Sequence, residues 1–156
     1  MAQAHELAMA LRSGYWTLHR ETNASLAGHG TTADQYVLLS LLMEQDGVTQ
    51  QELVRRASSD ANTIRQMLLL LESAGLIERR PHAQDGRAQS VTLTRKGRKK
   101  FTQLRSATEA CRQRLVRCVG RRNVGATIRA LQRISLHLAT SRKKSSSQRS
   151  GAQGSK

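Results

Sequence analysis

The feature that most constrains this chain is a pair of short helix signals set back to back between Thr49 and Gly75. Thr49-x-x-Glu52 has the spacing of a capping box, in which hydroxyl and carboxylate each take a backbone N–H left over at a helix start. It predicts a short helix from about Gln50 to Ala57, with Leu53 and Val54 inward. Ser58, Ser59 and Asp60 make a tight turn, and Asp60 is an N-cap residue for a second helix, Ala61 to Ala74. In that helix Ile64, Met67, Leu68 and Leu71 recur at i, i+3, i+4 and i+7, the spacing of one buried face, and Gly75 suits the left-handed position after it. Two short helices joined by a tight turn predict a helix-turn-helix. The period then changes: Leu76 to Arg80 and Gln89 to Leu93 alternate as strands, and the polar stretch from Pro81 to Ala88, with Gly86, reads as the loop of a hairpin. A hairpin directly after a helix-turn-helix is the wing of a winged helix.

The flanks are helical. Ala4, Ala8, Leu11, Tyr15 and Leu18 share one stripe, and after a glycine-containing loop from Ala27 to Thr31 the box Thr32-x-x-Gln35 opens a helix through Val37, Leu38, Leu41 and Leu42, ended by Gly47. Thr94 caps a long helix whose apolar stripe runs Phe101, Leu104, Thr108, Cys111, Leu115, Cys118, a 3,4,3,4,3 spacing. Beyond Gly120 a further helix carries Val124, Ile128, Leu131 and Leu138. Terminal stripes of this kind are hard to cover within one chain and predict a helical dimerisation layer. The fold class is thus mainly α with a small β-hairpin wing (α+β), a winged helix-turn-helix flanked by N- and C-terminal dimerisation helices. The expected organisation is a single domain over 1–139, with 31–97 as the winged helix-turn-helix and 1–26 and 98–139 as dimerisation helices. Residues 140–156, mostly Ser, Gly, Gln and basic side chains, are expected to form a disordered basic tail.

Charge narrows the partner. The net charge is +15, and it is not evenly spread: residues 1–94 hold 8 basic and 10 acidic side chains, residues 95–156 hold 18 and 1. So cationic a half faces a polyanion or solvent, with nucleic acid favoured over an anionic membrane surface because few aromatics accompany the cations. Tyr15, Trp16, Tyr36 and Phe101 are the only aromatics, too few for the stacking platforms of single-strand binders. The start of the chain lacks a basic segment followed by a long apolar run, and Val37 to Met43, the longest apolar stretch, is interrupted by Ser40, which predicts a cytoplasmic, nucleoid-associated protein without membrane attachment. His5, His19, His29, His82 and His137 are scattered without ligand spacing, so no metal is expected. Nucleophile elbows, phosphate loops and paired carboxylates are absent, which predicts no cofactor and no enzymatic activity.

From Thr31 to Gly97 the ordered pieces "TTADQYVLLSLL", "TQQELVRRASSDANTIRQMLLLLESAGLIERR" and "DGRAQSVTLTRKG" resemble the MarR family of bacterial transcription regulators, the last piece carrying Asp-x-Arg in the wing and Leu-Thr-x-x-Gly at the start of the following helix. The resemblance implies a symmetric homodimer that binds a pseudo-palindromic duplex, more often as a repressor, and that is often released by a small-molecule effector or by thiol oxidation. Two departures stand out. Arg65 precedes Gln66 where the family more commonly has a polar residue followed by Arg, and Leu69 and Leu70 fall where the family's helix is usually polar.

On this reading Asn62, Thr63, Arg65 and Gln66 lie opposite the buried stripe and face the major groove, where Arg can take guanine bidentately and Asn or Gln can take adenine; the alternative is a solvated helix face. Asp85 can orient Arg87 at the wing tip toward a narrow minor groove, against the alternative of a plain exposed ion pair. Arg79 and Arg80 are candidates for phosphate contacts, as are Thr49 and Gln50 at a helix N-terminus. The run Arg95, Lys96, Arg98, Lys99, Lys100, Arg105 begins after the wing, where cations oppose the helix dipole, and DNA phosphate is the expected counter-charge, with solubility as the alternative. Trp16, His19, Arg20 and Tyr36 are candidates to line an effector cavity or, equally, ordinary packing. Cys111 and Cys118 are a possible redox pair or small hydrophobes in a buried seam; an intrahelical disulfide is excluded, because seven residues at 1.5 Å rise separate them by about 10.5 Å. Two other functions compete with a sequence-specific regulator: a nucleoid-type architectural binder using the cationic half, and a thiol-based redox regulator.

Overall fold

The computed structural model describes residues 1–81 and 89–150, with side chains described up to Leu138. The chain divides into two compact units, Met1–Arg112 and Gln113–Lys156. In the first, α1 (Ala2–Leu26) leads through a 3-10 turn (Ala27–His29) to α2 (Ala33–Glu44), β1 (Val48–Thr49), α3 (Gln50–Arg56), α4 (Ala61–Ser73), β2 (Ile77–Pro81), β3 (Gln89–Leu93) and α5 (Arg95–Ala107). α6 (Glu109–Val119) begins in the first unit and ends in the second, which holds α7 (Val124–Ser150).

Local chemistry sets the helix starts. Thr32 accepts from the Gln35 amide while the Gln35 side chain accepts from the Thr32 amide, a complete capping box. At Thr49 only half of the expected box forms: its hydroxyl accepts from the Glu52 amide, and the Glu52 carboxylate turns to Arg55 instead. Asp60 caps α4 by accepting from the Thr63 amide at 2.9 Å. Both helix ends of the helix-turn-helix close in the same way. Gly75 (φ 69°) follows α4 in the left-handed region, its amide donating to Glu72 and that of Leu76 to Leu71. After α3 the same pair of bonds runs from Ser58 to Arg55 and from Ser59 to Val54, with Ser58 itself left-handed at φ 51°. The tight turn is therefore a helix C-cap built without glycine.

The wing is a three-stranded antiparallel sheet in the order β1-β3-β2, and not the two-stranded hairpin expected from sequence. β1 pairs Val48 with Val91, and β2 pairs Arg79 with Val91 and Ile77 with Leu93. A two-residue strand has no readable alternation, so only its partner reveals it. Asp46 fastens the sheet to α5: its carboxylate accepts from the Leu93 amide at 2.9 Å and is paired with Arg98. Leu38, Leu42, Leu53, Ile64, Leu68 and Val91 are wholly buried beneath the sheet and helices.

Gly97 explains the Leu-Thr-x-x-Gly pattern. A Cβ there would lie 2.0 Å from the Leu76 carbonyl oxygen and 3.1 Å from Leu93 Cδ2, so α5 can seat against the start of β2 only with hydrogen at that position.

Three other expectations change. The long helix after the wing is two helices, since Thr108 ends α5 before α6 begins; the Thr108 hydroxyl bonds back to the Leu104 and Arg105 carbonyls and competes with the ladder. The backbone of α7 runs to Ser150 where a disordered tail is expected from residue 140; no Gly or Pro falls between Thr140 and Ser150. Of the seam cysteines only Cys111 is buried; Cys118 is exposed.

Candidate nucleic-acid interface

α4 rests on Ile64, Leu68 and Leu71, so its outer side is fixed by helical phase: Asn62, Arg65 and Gln66 are exposed there. Arg65 makes no hydrogen bond or ion pair among the described residues, which leaves its guanidinium fork available. Thr63 differs, because its hydroxyl donates to Asp60 at 2.5 Å and so belongs to the cap; this bond and the Thr63 amide hold the Asp60 carboxyl below its ordinary range. Gln50, at the start of α3, donates to the Ala61 carbonyl at 3.4 Å and ties the two helix starts together across the turn.

The arginines of β2 divide. Arg79 donates through Nε at 2.9 Å and through Nη2 to Glu72 on α4, with 19% of its side chain exposed. The bonds raise the guanidinium's pKa and lower that of the Glu72 carboxyl. Arg79 thus braces the wing against α4, whereas Arg80 is well exposed and paired with Glu78 at 3.0 Å. Asp85 and Arg87, the wing-tip pair, lie outside the described residues.

The basic run after the wing has protein counter-charges that sequence reasoning missed. The Lys96 ammonium donates to the Ala74 carbonyl at 2.7 Å, at the C-terminal end of α4, and Lys100 donates to the His29 carbonyl at 2.6 Å, at the end of the 3-10 turn. Arg98 pairs with Asp46. The negative ends of two helices and one carboxylate, and not phosphate alone, offset these cations against the unfavourable dipole of α5. Arg95, Lys99 and Arg105 remain exposed.

The four effector candidates do not converge. Trp16 and His19 pack edge-on with ring centroids 5.6 Å apart, and His19 sits between Asp34 (3.2 Å) and Asn23 (3.2 Å). Arg20 is exposed. Tyr36 turns instead to Phe101, its ring stacked at 5.8 Å, and its hydroxyl accepts from Thr108 and Arg112. A cavity of about 350 Å³ opens elsewhere, between Thr31 and Gln35, Leu70 and Ala74, and Lys96 and Lys100.

Residues 31–88, which include both helices of the turn, β1 and β2 but stop short of β3, match the MarR family model. That match covers about a third of the chain and falls on its helix-turn-helix. The chain is 35% identical over 81 residues to the HTH-type transcriptional repressor Rv2887 of Mycobacterium tuberculosis, a match spanning 52% of this chain and 58% of that protein. Among solved structures, the transcriptional repressor CouR bound to a 23-mer DNA duplex is 26% identical with a TM-score of 0.74, over 83% of this chain and 92% of that one. CouR from Rhodococcus jostii RHA1 bound to p-coumaroyl-CoA shares the fold at 22% identity, with a TM-score of 0.74 over 83% and 91% of the two chains. The MarR-family fold accounts for the mainly helical architecture, the three-stranded wing sheet and the long terminal helices described above. Among the described residues no helix is long and apolar enough to cross a membrane.

Proposed function

We propose that this chain is a transcription regulator, acting as a repressor, that binds a pseudo-palindromic DNA duplex as a homodimer. The observation that carries the reading is the outer side of α4, where Asn62, Arg65 and Gln66 project on a helix pinned by the Asp60 cap and by three wholly or nearly buried aliphatic side chains. Rigid donors in a row are what base-edge recognition needs, because a geometry that is already fixed loses little entropy on binding. The dimer follows from the apolar residues left uncovered on the terminal helices, among them Leu7, Tyr15, Ile128 and Leu131. Arg80, Arg95, Lys99 and Arg105 supply phosphate contacts, and Arg87 reads the minor groove. Gln50 and Arg79 act by positioning α4 and the wing. An effector that releases the DNA belongs to the same reading, by likeness to CouR, which has been solved with both a duplex and p-coumaroyl-CoA.

Selection of bound sequences from random duplex DNA by the full chain tests the proposal. The expected product is an inverted repeat with half-sites about 10 to 10.5 bp apart. Arg65→Ala should then cost about 1–3 kcal/mol on the selected duplex and much less on random DNA. Equal losses on both would make Arg65 a phosphate contact, and failure to enrich any sequence would favour the architectural reading.

A further inference from the structure

We infer that Leu69 is a specificity-determining residue of the proposed interface, reading the C5-methyl group of a thymine in the major groove. The inference rests on the DNA-binding reading above and adds a base preference to it.

Leu69 and Leu70 are adjacent on α4, 40% and 58% exposed, on a helix whose outward residues Asn62, Thr63, Arg65, Gln66 and Ser73 are polar. Helical phase separates the two. Leu69 is seven residues, about two turns, from Asn62, and one turn beyond Arg65 and Gln66, so it continues the same row. Leu70 is rotated by about 100° from it and lines the cavity beside Lys96 and Lys100. Side chains of an α-helix lean toward its N-terminus, so Leu69 leans over the Arg65 turn, toward whatever Arg65 and Gln66 contact. A leucine there has no hydrogen bond to offer. What it can recognise in a major groove is the one apolar feature on a base edge, the thymine methyl, and burying that methyl against Leu69 removes both from water. An adenine, guanine or cytosine edge at that place would leave a polar group facing an aliphatic side chain, which adds discrimination by exclusion. Arg65 and Gln66 would take adjacent base edges, so the row reads hydrogen-bond pattern and methyl together.

The test is a uracil scan. On the duplex selected by the wild-type chain, each thymine is replaced singly by deoxyuridine, which removes only the methyl, and binding is measured for wild type, Leu69→Ala and Leu70→Ala. Alanine favours the helix at both exposed positions, and circular dichroism checks that each variant is folded. Wild type should lose about fourfold at one thymine in each half-site, the worth of one buried methyl. Leu69→Ala should bind thymine and uracil duplexes equally at that position, and Leu70→Ala should retain the wild-type ratio. A wild-type chain indifferent to uracil at every thymine, or a Leu69→Ala chain that keeps the ratio, overturns the inference while leaving the DNA-binding reading intact. If no duplex is enriched at all, the DNA-binding reading fails and takes this inference with it.

Discussion

Leu68 and Leu131 sit on helices with comparable amphipathic spacing, yet Leu68 is wholly buried and Leu131 is 44% exposed. The difference lies in what faces each stripe. α4 meets α3 and β2 within the first unit, and these two elements cover its inner side. The aliphatic residues of α7, including Ile128, Leu131 and Leu136, stay largely in water in the single chain. A helical stripe is thus a request for cover, and the winged helix meets that request internally while the terminal helices do not. This contrast is why the winged helix buries its own stripes and why we propose the terminal helices as the dimerisation layer.

The largest effect expected from breaking the contrast is at these two leucines. Leu68→Ala should destabilise by about 2–5 kcal/mol at any protein concentration, through lost burial and a residual cavity. Leu131→Ala should cost less than about 0.5 kcal/mol in the isolated chain, so any greater loss must depend on concentration, as an interface between copies requires. Urea unfolding at two concentrations well apart measures both. Equal, concentration-independent losses would mean that α7 is packed within its own chain.

Glycines sharpen the same comparison. Gly97→Ala drives a Cβ into the Leu76 carbonyl and should cost about 1–3 kcal/mol, whereas at Gly125 on α7 the nearest atom to a new Cβ is the mobile end of Arg129 at 3.4 Å. Gly125→Ala should therefore stabilise by about 0.5–1 kcal/mol, as in an ordinary exposed helix. Thermal unfolding of the two variants gives opposite signs if the close approach is real.

The cysteines offer a smaller contrast. Cys111 is 5% exposed, so Cys111→Ser should cost about 1–2 kcal/mol by placing a hydroxyl among apolar atoms, and Cys118→Ser should be near neutral. Thiol titration of the native chain should label Cys118 and spare Cys111; rapid labelling of both would contradict the burial.

The smallest expected effect is a pH dependence within the winged helix. The Arg79 guanidinium holds the Glu72 carboxyl below its ordinary 4.5, and a carboxylate whose pKa is lowered on folding stabilises the fold above pH 4.5 and loses that contribution as pH falls through the folded-state value. Glu72 is 36% exposed, so solvent screening keeps the contribution below about 1 kcal/mol. Glu72→Gln should be less stable than wild type at pH 7 by that margin, and the gap should close on acidification below pH 4.5. A gap unchanged at pH 3 would mean that shape, and not charge, matters at this position.

Much of the fold was legible because its signals are local. Thr32, Thr49, Asp60 and Thr94 each cap a helix by bonding an amide three residues on, and Gly75 closes α4, interactions that a short window of sequence contains in full. The exposed row of Asn62, Arg65 and Gln66 was legible for the same reason, since helical phase alone sets it opposite Ile64 and Leu68. What the sequence by itself determined is therefore where α2, α3, α4 and α5 begin, where α4 ends and which face α4 turns inward. Only the tertiary structure decided who partners whom across the chain. β1 exists because Val48 meets Val91; Arg79 braces the wing because Glu72 lies within 2.9 Å; Lys96 and Lys100 spend their charge on the carbonyls of Ala74 and His29. Gly97 is small because a carbonyl from a different element arrives 2.0 Å from where its Cβ would stand. Capping and phase act over three or four residues, where covalent geometry dictates the distance; these pairings span from 7 to 71 residues, and chain folding alone brings such groups within reach.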